Sequence, residues 1–235
     1  MNTIKYRGQS VNGRSPDLWH DCPILGILED PSIGYGFFDD FLDYESTGTT
    51  VVNKSGTPTF EGACTITGLA VAGGAVVLMV SVSNEEASLQ RGGSDSAPYV
   101  IAANQADGKK LWFECRVKKE LIAQNLGGFF VGLAGENAGV ADFMDDGGAD
   151  FSDVDLLGFW NDEVDDSLGS HVHTITQKTS AAFDTIVDTF ATLVADTYVK
   201  LGFKYDPDAI AAKRIKFYLD GVEQTTYVGE TSATT

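Results

Sequence analysis

Residues Tyr198–Val228 read YVKLGFKYDPDAIAAKRIKFYLDGVEQTTYV, and the period of two within them decides the fold class. In Tyr198–Asp206, Val199, Leu201, Phe203 and Tyr205 fall on one face, while Lys200 and Lys204 fall on the other. In Arg214–Asp220 the same spacing gathers Ile215, Phe217 and Leu219. Successive strand side chains point to opposite sides of a sheet, so this alternation marks antiparallel strands with one buried face. Asp220-Gly221 then supplies the backbone freedom of a two-residue hairpin turn into Val222–Val228.

The same text recurs upstream. Leu111–Lys118, LWFECRVK, points Leu111, Phe113, Cys115 and Val117 inward and Glu114, Arg116 and Lys118 outward, with Trp112 out of phase with the core face. Shorter strands are expected over Phe37–Tyr44, Thr49–Asn53, Cys64–Val71, Ala75–Ser83, Tyr99–Ala103, Gly128–Leu133, Leu156–Trp160, His171–Gln177 and Phe183–Val187. Helix is expected only briefly, at Lys119–Gln124 and Asn137–Met144. A dozen strands with turn chemistry between them predict an all-β, two-sheet antiparallel sandwich of jelly-roll type over residues 36–235.

Residues 1–35 differ. Met1–Ser15 carries Lys5, Arg7 and Arg14 with no acid, and Asp17–Leu28 is apolar but broken by Pro23. Prolines 16, 23 and 31 predict an extended N-terminal arm rather than a helix or central strand. Trp19, Ile24, Leu25 and Leu28 form its apolar patch, the candidate partner-binding residues. Two readings stand: the arm folds back on its own domain, or it reaches another copy or a larger assembly.

The chain has 34 acidic against 16 basic residues, a net charge of −18. That disfavours nucleic acid and anionic membrane as partners, since both are polyanions. No stretch approaches the about 18 apolar residues of a membrane helix. Three cysteines without metal spacing argue against a disulfide framework, and the polar, basic start of the chain lacks the apolar run of a signal peptide, so synthesis in a reducing cytoplasm is expected.

Catalytic signals are poor. Glu136–Asp166 holds eleven acids and no Lys or Arg. Asp150, Asp153 and Asp155 are the candidate ligands for a Ca²⁺ ion, although no register supplies the alternating acid loop that such sites favour. Asp153 and Asp155 share a strand face, as glycosidase carboxylates do, but no glutamate accompanies them. His171 and His173 share another face without an evident third ligand. No nucleophile elbow or phosphate-binding loop is present, so no enzymatic activity and no resident cofactor are expected. The aromatic residues Trp19, Trp112 and Trp160 leave a sugar-stacking, lectin-like module as the alternative.

FFDDF (Phe37–Phe41), LWFECRVK, GFFVGLAG (Gly128–Gly135), DLLGFW (Asp155–Trp160), YVKLGFKYD and IKFYLDG together resemble a concanavalin A-like, laminin-G-like sandwich. With the preceding DLWHDCPILGILEDPSIGYG, the chain is similar to virion structural proteins of tailed bacteriophages over Asp17–Gly221. That resemblance implies a capsid decoration protein on the virion surface, whose partner is the lattice of the major capsid protein.

Overall fold

The structure is a computed structural model that describes residues 13–41, 57–60, 64–69, 71, 74–80, 85–91, 99, 101, 109–123, 127–135, 143–144, 151, 155–161, 169–178 and 184–228. Within them the chain is an all-β sandwich. Strands β1 (Thr57–Phe60), β2 (Thr65–Leu69), β3 (Ala75–Met79) and β4 (Ala87–Gln90) form two nested antiparallel pairs, β1 with β4 and β2 with β3. Next come β5 (Leu111–Val117), β6 (Phe129–Ala134), β7 (Leu156–Asn161), β8 (His171–Gln177) and β9 (Asp184–Thr192). The last three are β10 (Val199–Tyr205), β11 (Ile215–Leu219) and β12 (Val222–Val228). One four-stranded sheet runs β12-β11-β10-β5 and the other is the meander β6-β7-β8-β9, all antiparallel.

The alternation read from the sequence builds the core. Phe203 stands opposite Phe113 on one side and Phe217 on the other, and the Phe113 and Phe203 rings stack at 4.8 Å. From the facing sheet, Phe159 reaches Phe203 and Phe217 with centroid distances of 6.2 and 5.7 Å. Leu157, Val172 and Phe190 complete that side, and every inward position expected on β5, β10 and β11 belongs to this one cluster. Each large apolar side chain taken out of water contributes about 1.5–3 kcal/mol, so the inter-sheet layer is the main source of stability. The Asp220-Gly221 turn has φ of 49° and 81°, the doubly left-handed backbone of a type I′ hairpin.

The meander sheet is covered on its outer side as well. Met144 bridges Phe151, and Phe143, Phe151, Phe130 and Trp160 pack edge to face at 5.4–5.9 Å. Glu86 holds this cover by accepting the backbone N–H groups of Phe143 and Met144 at 3.0 and 2.7 Å. Phe143, Met144 and Phe151, three apolar residues of the acid-rich stretch, are thus held on this sheet. Gly132 faces Gly158 beneath the aromatics, and a Cβ on either would lie 2.4–2.5 Å from a neighbouring carbonyl oxygen.

The expectation of a wholly extended arm is corrected: α1 (Pro16–Trp19) and α2 (Ile24–Glu29) are short helices. Pro16 occupies the first turn, where its missing N–H costs nothing, and Pro23 sits at the cap of α2. The prolines start these helices instead of preventing them. Residues 37–41 and 119–123 are neither strand nor helix, against expectation, whereas Thr49–Asn53 falls outside the described residues.

Candidate functional site

The arm lies on the outer face of the β12-β11-β10-β5 sheet. Period two sends Trp112 and Glu114 of β5 and Lys200 and Lys204 of β10 to that face, leaving Gly202 as a gap between the lysines. Leu18 of α1 fills the gap and is wholly buried; a Cβ on Gly202 would come within 2.7 Å of its Cδ2. Glu114 secures this end, accepting the Ser15 N–H at 3.0 Å, the Trp19 Nε1–H at 2.9 Å, and the Ser15 hydroxyl. Ser15 also abuts Gly221 of the hairpin turn, so that turn needs glycine for space as well as for its φ. The Lys200 ammonium donates to the Gly13 carbonyl.

A second anchor stands one helical connection further on. Asp21 accepts from Lys204 Nζ at 2.5 Å and from Trp112 Nε1 at 3.0 Å, with Lys110 at 3.5 Å. Asp206 completes the group, 3.0 Å from Lys110 and 3.8 Å from Lys204. Lys204 is almost fully buried, and these two carboxylates balance its charge. Burial acts to raise the Asp21 pKa, but the hydrogen bonds from Lys204 and Trp112 and the positive charges of Lys204 and His20 outweigh it and bring it to about 2. Beside this anchor, burial pushes the Cys22 thiol up to about 11, so it is protonated at neutral pH.

Beyond the anchors the arm turns into a small knob. Ile24 and Ile27 of α2 are half-buried, and Ile27 packs on Gly34 and Gly36, where a Cβ would meet it at 3.4–3.6 Å. Leu25 and Leu28, three residues apart and therefore on one stripe of α2, are 71% and 74% exposed. Phe38 and Tyr35, in the segment after α2, are exposed as well. Arg14 lies over the Phe38 ring at 5.0 Å and Arg91 over Phe37 at 4.5 Å, with Arg91 donating to the Tyr35 hydroxyl at 2.9 Å. The knob is therefore cross-braced to both the clasp and the region after β4.

Of the four arm residues singled out in the sequence, Trp19 serves the intramolecular clasp, Ile24 is half-buried, and Leu25 and Leu28 face solvent. Asp150 and Asp153 lie outside the described residues, and Asp155 is exposed just before β7. His171 and His173 do share a face, 6.5 Å apart, with His173 buried against Trp160 and 3.6 Å from Asp188. Among the described residues no group of three His, Cys, Asp or Glu side chains is placed to hold a metal, and no helix is long and apolar enough to cross a membrane. Each tryptophan is engaged within its own chain: Trp19 by Glu114, Trp112 by Asp21, and Trp160 in the aromatic cover. The clasp that joins Glu114 and Lys204 to the arm was not foreseen; the outward phases of Trp112, Glu114 and Lys204 were its signal. No family model, curated protein or solved structure matches the chain.

Proposed function

We propose that this protein is a structural virion protein, a capsid decoration subunit that binds the assembled head lattice of a tailed phage and performs no catalysis. In this reading it is made in the host cytoplasm, ends on the capsid surface, and meets the major capsid protein through its arm. One observation carries the proposal: a doubly anchored arm presents Leu25 and Leu28 to solvent on a braced knob. Leaving two leucines in water forgoes about 1.5–3 kcal/mol each, and a clasp that fixes their position lowers the ordering cost of docking. The acidic body suits a subunit that stays dispersed until a lattice offers a matching site. The finer assignment of the sandwich, a concanavalin A-like jelly roll, belongs to the same proposal. Its support is that β5 and β10 are sheet neighbours while the β6–β9 meander between them forms the facing sheet.

The test is co-sedimentation of the full chain with heads assembled without it, comparing the wild type with a Leu25→Asp, Leu28→Asp variant. The wild type should pellet with heads, and the variant should stay in the supernatant with an unchanged melting temperature. Equal pelleting of both proteins removes the arm from the interface, and no pelleting of either removes the decoration role.

A further inference from the structure

The arm is attached to the sandwich without being built into it. Among the described residues, every backbone-to-backbone hydrogen bond of residues 13–41 closes within the arm, and none joins it to a strand. Its bonds to the body end on body side chains: Glu114, Trp112, Lys200 and Lys204, with Lys110 beside them. The described core cluster between the sheets also draws on no arm residue, although Leu18 is wholly buried on the outer face. Arm and seat therefore separate without breaking a ladder hydrogen bond or opening the core. Openings of this local kind cost less than global unfolding.

We propose that this seat on the β12-β11-β10-β5 sheet is a peptide-docking groove that takes residues 13–21 from a second copy as well as from its own chain, so that crowded copies exchange arms. The occupant is the one peptide seated in the groove, and it is matched there residue by residue. Leu18 lies over Gly202, Asp21 meets Lys204 and Trp112, and Ser15 and Trp19 meet Glu114. Every copy carries both halves, so exchange needs no surface beyond this one, and reciprocal exchange closes into a two-fold dimer. Opposite charges meet at its centre, Asp21 on Lys204, although each body is strongly acidic. The hinge is Cys22-Pro23, the non-helical link between α1 and α2. The knob beyond it stays braced by Arg91, which lies over Phe37 and donates to Tyr35, while the Arg14 contact with Phe38 is given up. In dilute solution a chain's own arm wins through its high effective concentration; copies held close together compete with it. Arm exchange is independent of the decoration role.

The experiment mixes two full-length variants, each broken on one side. Leu18→Asp puts a carboxylate into the closed gap over Gly202 and disables the arm, but leaves the seat intact. Glu114→Lys removes the acceptor of three arm donors and disables the seat, but leaves the arm intact. Both positions lie outside the core between the sheets, so far-ultraviolet circular dichroism should match the wild type. In sedimentation velocity each variant alone should run as a monomer. An equimolar mixture should give a one-to-one complex, with tryptophan emission moved back toward that of the wild type. A mixture that stays monomeric overturns the proposal, and so does association of either variant alone, which needs a different surface. The wild type gives a reading that depends on no variant. A carbodiimide couples the Asp21 carboxylate to Lys204 Nζ, 2.5 Å away, after copies with light and heavy nitrogen are mixed at rising concentration. Coupled peptides with one light and one heavy half are expected, in a fraction that grows with concentration. Pairs of a single label at every concentration overturn the proposal.

Discussion

Replacing Leu18 by alanine and Gly202 by alanine, singly and together, measures how the arm is held. Leu18 is completely buried, so its truncation removes the transfer energy of the lost carbons and leaves a void, about 2–5 kcal/mol for such a site. Gly202→Ala acts in the opposite sense. Its new methyl would sit 2.7 Å from Leu18 Cδ2 and 3.0 Å from the Phe113 carbonyl oxygen, an overpacking worth about 1–3 kcal/mol. In the double variant the alanine methyl occupies space that Leu18 has vacated, so the two losses should not add. A favourable coupling of about 1 kcal/mol or more is expected, within the range for residues in contact. Urea titration followed by tryptophan fluorescence reads the clasp, because Trp19 and Trp112 both donate into it, while far-ultraviolet circular dichroism reads the sandwich. Tryptic cleavage after Arg14 should accelerate in either single variant. Losses that add to within about 0.5 kcal/mol, with fluorescence unchanged, would refute the placement of Leu18 over Gly202.

Glu114→Gln should cost about 1–3 kcal/mol in urea titration, because a carboxylate accepting three donors is replaced by an amide that turns one donor toward them. The Asp21 carboxyl is held at about 2 in the folded state, below its ordinary 3.8. Its stabilisation is therefore complete above about pH 4 and is lost as the pH falls toward 2, so Asp21→Asn should flatten the acid limb of stability measured by melting temperature. Asn161 is fully buried, donates to the Gly169 and His171 carbonyls and accepts from Lys119; Asn161→Ala should lower stability by about 1–3 kcal/mol in thermal melting.

The sandwich was legible because its information is local. Period two in LWFECRVK and YVKLGFKYD placed Phe113, Cys115, Leu201 and Phe203 in the core, and Asp220-Gly221 announced its own turn. The strands expected at Cys64–Val71 and Ala75–Ser83 are present as β2 and β3, which pair with each other. The clasp was not legible, because it joins Asp21 to Lys204 and Ser15 to Glu114 across most of the chain, and no local spacing says which carboxylate will meet which cation. The arm helices were missed for a different reason. A proline reads as a breaker until its position within the turn is known, and at the first turn it is harmless. β1 and β4 escaped notice because TPTF and ASLQ have too little apolar alternation to mark a strand without their pairing partners.

The central proposal, attachment to an assembled lattice through the arm, is tested most directly by a binding isotherm of the full chain on assembled heads set beside one on the same coat subunits before assembly. Saturable binding to heads with no detectable binding to free subunits is the predicted result, and Leu28→Asp should remove it. Equal affinity for free subunits, or binding to neither while a glycan surface retains the protein, would contradict it.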